Sequence, residues 1–275
     1  MRGLLAAFGV AYLVLLLLFR VFERRLIFFP DYPGRLVGDW QPKGLPVEDV
    51  WLKTADGVQL HAWWIPGAGA EFTFLAFHGN AANIAARADV YRFLHALPAN
   101  VLALEYRGYG RSEGSPGEAG LYLDAQAGYD YLTGQRGIAP GRIISYGQSL
   151  GTAVAVDLAA KRDVGGVVLE APFPSGRAVA RRVYWFVPGV EFAAQSRFDT
   201  VGKLASIRAP VFVVHCARDP VLAFALGEKV YARAREPKTF WRVEGECHEE
   251  ASLVAPEQYR ERLLAFLKRM GSDRT

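Results

Sequence analysis

The chain has 275 residues, a formal net charge of +4 and 51% hydrophobic residues, which suits one large α/β domain with a short additional segment. Its lysines and arginines are scattered among 28 acidic residues, with no basic stripe interleaved with aromatics, so nucleic acid is excluded as an expected partner. No internal repeat, low-complexity run or zinc-type spacing is present, and Cys216 and Cys247 lie far apart in sequence.

From Gly3 to Phe19 there is no charged residue, and Val10 to Phe19 is nearly all leucine, valine and aromatic. At 1.5 Å per residue this run gives about 26 Å of helix, which Val21 and Phe22 extend. Residues 1–22 are therefore expected to be a single-pass membrane anchor. The alternative is a cleaved signal peptide, but no small-x-small site follows; the run ends in Arg20, Glu23, Arg24 and Arg25. Arg20, Arg24, Arg25 and Arg35 outnumber Arg2, which leans the main domain toward the cytoplasm and leaves its side open, since large C-terminal domains translocate despite flanking charge. Residues 23–46 read as a juxtamembrane linker. It opens with Leu26-Ile-Phe-Phe-Pro-Asp-Tyr-Pro33, whose rings suit either a headgroup layer or packing under the domain.

Residues 47–270 alternate strand and helix signals. Val47 to Lys53 and Val58 to Ile65 flank the hairpin turn Thr54-Ala-Asp-Gly57. Phe72 to Phe77 is a continuous apolar strand, Ala81 to Leu97 has helical spacing, and Val101 to Tyr106 is the next strand. A helix over Glu118 to Leu132 follows, then strands at Ile143 to Tyr146, Gly166 to Glu170, Val211 to His215 and Thr239 to Val243. Helices are expected around Leu222 to Ala234 and over Pro256 to Met270. This order predicts an α/β fold with a mostly parallel sheet covered on both faces, and a site at the carboxyl ends of its strands.

Gly147-Gln-Ser-Leu-Gly151 lies between the strand Ile143–Tyr146 and an Ala/Val-rich helix, the context of a G-x-S-x-G nucleophile elbow at Ser149. A serine needs a histidine to take its proton and a carboxylate to hold that histidine. Of five histidines, His248 alone sits in a loop after a late strand, following the chain order Ser, acid, His. Asp219 and Glu170 both follow strands and are the acid candidates; Asp219 is preferred because its loop precedes that of the histidine. The N–H groups of Leu150, at the helix start, and Asn80, in His78-Gly79-Asn80, are the expected oxyanion donors. The Asn80 side chain alternatively caps a helix.

Together His78-Gly-Asn-Ala81, Tyr106-Arg-Gly-Tyr-Gly-Arg-Ser-Glu-Gly114, Gly147-Gln-Ser-Leu-Gly151, Asp219 and His248 resemble the serine α/β-hydrolases, in the group of Bem46 and the α/β-hydrolase domain-containing proteins 13 and 17. The resemblance covers residues 26 to 268. It implies an α/β-hydrolase fold, membrane anchoring, ester or thioester hydrolysis, Ser149 as nucleophile with Asp219 and His248 as partners, and Asn80 with Leu150 in the oxyanion hole. Relatives usually carry glycine where Cys216 stands, and often where Cys247 stands. Because these two loops leave neighbouring strands in this fold, a Cys216–Cys247 disulfide bracing the acid and histidine is proposed, which would place the domain in an oxidising compartment. The alternative is two buried thiols. Residues 173–205 fall where such hydrolases carry a cap, and Tyr184, Trp185 and Phe186 either line an acyl pocket or pack on the sheet. The expected substrate is a small-molecule or lipidated acyl ester or thioester at the bilayer, with no metal or organic cofactor. The alternatives are a peptidase of the same fold or an inactive membrane scaffold, and oligomeric state is not legible.

Overall fold

The most apolar runs of the chain fill the middle of its sheet. The computed structural model describes residues 2–272. Helix α1 (Arg2–Ile27) and an irregular segment lead to the hairpin β1 (Glu48–Lys53) and β2 (Gln59–Ile65). Then come β3 (Phe72–Phe77), α2 (Ala88–His95), β4 (Ala99–Leu104), α3 (Glu118–Asp130), β5 (Ile143–Gln148), α4 (Leu150–Lys161) and β6 (Gly166–Glu170). Three short helices, α5 (Gly176–Val183), α6 (Val190–Ala193) and α7 (Thr200–Leu204), precede β7 (Val211–Cys216), α8 (Phe224–Arg233), β8 (Lys238–Val243), α9 (Ala251–Val254) and α10 (Pro256–Ser272).

The sheet order is β1-β2-β4-β3-β5-β6-β7-β8, with the first two pairings antiparallel and the rest parallel. Every residue of β3, β5, β6 and β7 is buried, as strands covered on both faces require. The edge strand β1 is mostly exposed. On one face lie α3, α4 and α8, through Leu121, Val154 and Val230; on the other lie α2 and α10, through Tyr91, Leu94 and Leu263. The chain crosses from one half of the sheet to the other between β3 and β5, so the loops after these two strands open a crevice at their carboxyl ends.

That crevice is fixed by close backbone contact. A Cβ at Gly147 would lie 2.3 Å from the carbonyl oxygen of Gly151, and one at Gly151 would lie 2.1 Å from that of Phe77. The strand-to-helix turn can close only with glycine at both places.

The helix expected over Ala81 to Leu97 is shorter: Asn83 caps a single 3-10 turn at Ile84–Arg87, and α2 begins at Ala88. The expected anchor ends at residue 22, whereas α1 continues to Ile27, so the first residues of the expected linker are helical. Glu23 explains the extension: its carboxylate is buried and bonded to the cap, which holds the last turn against the domain. Leu4, Leu5, Phe8, Leu13, Leu17 and Val21 are exposed, and α1 is long and apolar enough to cross a membrane.

Gly151→Ala should destabilise the fold by more than about 4 kcal/mol, since the clash is with backbone and cannot relax. Gly134→Ala, where nothing lies near the added methyl, should change stability by no more than about 1 kcal/mol. Chemical denaturation of the detergent-solubilised protein checks both.

Candidate active site

Ser149 occupies the turn between β5 and α4 with φ +49° and ψ −115°, a left-handed backbone that a non-glycine residue adopts only under constraint. Its N–H donates to the carbonyl of Glu170 on the adjacent strand, 2.9 Å away. The side chain is thereby projected above the sheet end, where its Oγ lies 2.9 Å from His248 Nε2. His248 Nδ1 lies 2.7 Å from Asp219 Oδ2. The other carboxylate oxygen, Oδ1, accepts the N–H groups of Val221 and Leu222, each at 2.8 Å. Pro220 is thus accommodated in a turn organised by the acid itself.

Burial alone would raise the Asp219 carboxyl, but hydrogen bonds from His215 and His248 outweigh it and hold the group well below the usual carboxylate range. For His248 burial disfavours the charged ring, yet the Asp219 hydrogen bond and the charges of Glu249, Asp219 and Glu250 raise it above its ordinary 6.5. Glu249 stands 3.8 Å from His248 Nε2 and is paired with Arg87 at 3.1 Å.

The second acid candidate, Glu170, serves elsewhere. Its carboxylate accepts from the Tyr146 hydroxyl (2.7 Å), Gln148 Nε2 (3.1 Å) and the N–H of Ala251 (3.0 Å), bracing the histidine loop from below. Burial pushes it up to about 7.

Leu150 opens α4, and the first N–H groups of a helix have no partner within it. Asn80 is clamped at both ends. Its carbonyl accepts from Phe29 N–H (2.9 Å) and the Tyr109 hydroxyl (2.8 Å), while its side chain donates to Ile27 O (2.9 Å) rather than capping a helix. Among the described residues its own N–H donates to no protein acceptor.

A cavity of about 290 Å³ rises above Ser149, lined by Phe19, Leu26 and Ile27 of α1, by Val179 and Tyr184 of the cap, and by Leu222. Of the three cap residues expected to line it, only Tyr184 does. Trp185 and Phe186, 75% and 64% exposed, project from the outer surface, because the chain turns after α5 and successive side chains diverge. Cys216 and Cys247 form a disulfide with Cα atoms 5.6 Å apart, joining the end of β7 to the loop of His248. No cluster of metal-ligating side chains occurs among the described residues.

Sequence reasoning missed two parts of this arrangement. His215 Nε2 stands 3.3 Å from Asp219 Oδ2 and 3.0 Å from Leu222 O, a buried second histidine on the same acid; its i,i+4 spacing to Asp219 was the available signal. The contribution of α1 to the cavity left no local signal, since its lining residues are indistinguishable from lipid-facing ones.

A mostly parallel eight-stranded sheet with a serine at the elbow after β5 and an acid and a histidine after β7 and β8 defines an α/β-hydrolase. Residues 70–201 match the family described as "Serine aminopeptidase, S33". The chain is 33% identical to α/β-hydrolase domain-containing protein WAV2 of Arabidopsis thaliana, over 97% of this chain and 92% of that protein. To α/β-hydrolase domain-containing protein 17B of Homo sapiens it is 32% identical, over 83% and 79%. The esterase Pf2001 of Pyrococcus furiosus superposes with a TM-score of 0.71 at 26% identity, covering 86% of this chain and 98% of that one. The chain belongs to the α/β-hydrolase domain-containing family and is a hydrolase.

Two outcomes follow from this geometry. Without reduction the protein should expose no alkylatable thiol by mass spectrometry, and two after it; removing the cross-link by Cys216→Ser with Cys247→Ser should cost about 3 kcal/mol in denaturant unfolding. Glu170, raised from 4.5 to about 7, contributes stability that is complete below the lower value and is lost as pH rises through the upper. Between pH 4.5 and 8 the unmodified protein should therefore lose on the order of 3 kcal/mol relative to Glu170→Gln.

Proposed function

We propose that this protein is a serine hydrolase that cleaves carboxylic ester or thioester bonds of lipophilic acyl substrates at a membrane. The observation that carries this reading is the hydrogen-bonded chain Ser149–His248–Asp219 at the floor of an apolar cavity. In the proposed cycle His248 Nε2 takes the Ser149 proton as Oγ attacks the acyl carbonyl. The N–H groups of Leu150 and Asn80 hold the oxyanion, aided by the positive end of α4. The imidazolium then protonates the leaving alcohol or thiol. Water, activated by the same imidazole, releases the acid from the acyl-serine. Asp219 fixes the tautomer in which Nε2 is the acceptor, and hydrogen bonds from His215 and His248 hold its carboxyl well below the usual range, so that it stays an anion throughout.

The family's printed description as a serine aminopeptidase favours a second reading, peptide cleavage by the same groups. The apolar lining of the cavity supports an acyl chain instead. α1 supports attachment to a bilayer, and the Cys216–Cys247 bond supports a domain facing an oxidising compartment. The arginine excess near the membrane argues less strongly against that side than its count suggests. Arg24 and Arg35 are bonded to Pro116, Gly110 and Ser112 carbonyls, a structural reason for their presence.

A fluorophosphonate probe should label the unmodified protein and fail to label Ser149→Ala; labelling of neither would overturn the reading, as an inactive scaffold requires. Asp219→Asn should lower kcat about 10⁴-fold. Since His248 must be neutral to act as base and is raised above 6.5, the acidic limb of kcat/KM for an acyl ester should lie above that pH. Glu249→Gln should move it downward. A panel of acyl esters, thioesters and peptides distinguishes the substrate classes.

A further inference from the structure

The last turns of α1 do more than lead out of a membrane. Asn80, whose N–H is the expected oxyanion donor, gives its side-chain amide to Ile27 O at 2.9 Å, and its carbonyl is held by Phe29 N–H just beyond the helix. Glu23 is 2% exposed, and its carboxylate accepts the N–H of Gln195 at 2.9 Å and of Ser196 at 3.0 Å, where the chain returns from the cap. A buried carboxylate at the end of an apolar helix is costly unless its oxygens are bonded, so this latch is a specific contact. Phe19 meets Tyr184 edge-on at 5.0 Å, and Phe19, Leu26 and Ile27 all line the cavity over Ser149.

The cap also climbs the helix. The Tyr12 hydroxyl bonds the carbonyl of Pro188, and a rise of about 16 Å separates Tyr12 from Glu23. A 26-residue helix is about 39 Å long against a hydrocarbon core of about 30 Å, so in a bilayer spanned by α1 with its arginine-flanked end at the surface, the turn at Glu23 would lie at the edge of the lipid and Tyr12 well inside it. The corner of the cap beside Tyr12 carries Trp185, Phe186 and Phe192, which are 75%, 64% and 75% exposed. Water would surround these rings at a cost; acyl chains would not.

We propose that α1 is a wall of the acyl site, and that the cap corner 184–192 is immersed beside it in the bilayer. The cavity then takes one acyl chain of a membrane-resident ester, which enters laterally along α1. At about 290 Å³ the cavity is at the small end of ligand pockets, suited to a single chain. This inference rests on the serine-hydrolase reading and adds to it the route and the specificity-determining residues Phe19 and Glu23.

The test uses the full chain in phosphatidylcholine nanodiscs, with p-nitrophenyl laurate and acetate as substrates. Phe19→Trp, which narrows the cavity, should lower the laurate-to-acetate ratio of kcat/KM about tenfold. Glu23→Gln should raise KM for laurate more than it changes kcat. In vesicles of phosphatidylcholine with brominated acyl chains, tryptophan quenching should be smaller for Trp185→Phe than for the unmodified protein. An unchanged ratio in both variants of a protein that turns over acetate overturns the wall and leaves the serine-hydrolase reading standing. Equal quenching overturns the immersed cap. A protein that neither turns over ester nor labels at Ser149 overturns the earlier reading, and this one with it.

Discussion

The contact between β5 and α4 governs the rest of the site. β5 meets α4 so closely that Gly147 cannot carry a Cβ, and the start of α4 meets the end of β3 so closely that Gly151 cannot either. The residue between them is forced into a backbone shape that L-amino acids avoid. That strain is held by the buried strands on either side, and by the Ser149 N–H to Glu170 carbonyl bond in particular. The hydroxyl needs no side-chain flexibility to reach the crevice. The nucleophile is therefore held by the backbone of the strand-to-helix turn, while its partners sit on loops that side-chain and disulfide contacts brace. Asp219 is bonded by its own turn and by His215; His248 is tied through the Cys216–Cys247 bond and supported by Glu170 beneath.

Electrostatics divides the site's carboxyl groups by environment. Asp219, bonded by two histidines and two backbone N–H groups, is stabilised as an anion despite its burial. Glu170, one strand away and more deeply buried, faces neutral donors and is pushed by burial toward protonation near neutral pH. The same functional group thus supplies a permanent charge in one loop and, at a strand end, a brace that is partly protonated near neutral pH. Chain order favoured Asp219 as the acid, and the number and charge of the donors give the physical reason.

Much of the fold was legible because it is written locally. Continuous apolar runs marked the central strands, Thr54 to Gly57 marked the hairpin, and Gly147 and Gly151 around a serine marked the elbow. The order serine, acid, histidine pointed to Ser149, Asp219 and His248, which the fold does bring within hydrogen-bonding distance. What was not legible depends on three-dimensional return of the chain. The choice of Tyr184 over Trp185 and Phe186 depends on where α5 stops. The burial of Glu23 depends on a segment some 170 residues later meeting it. The start of α2 was misplaced because Asn83, with its side chain on Ala86 N–H, diverts the chain into a 3-10 turn first.

The cap is an excursion between β6 and β7 that contributes no strand to the sheet. Adding residues to such an excursion costs little conformational entropy, growing only with the logarithm of its length. The platform carrying the nucleophile is built from other stretches of chain and would be undisturbed by an insertion there. Chemistry and selectivity are consequently separable by heredity: descendants of this scaffold can acquire new tastes by remodelling this excursion together with the helix it leans on, while the reacting groups below stay as they are.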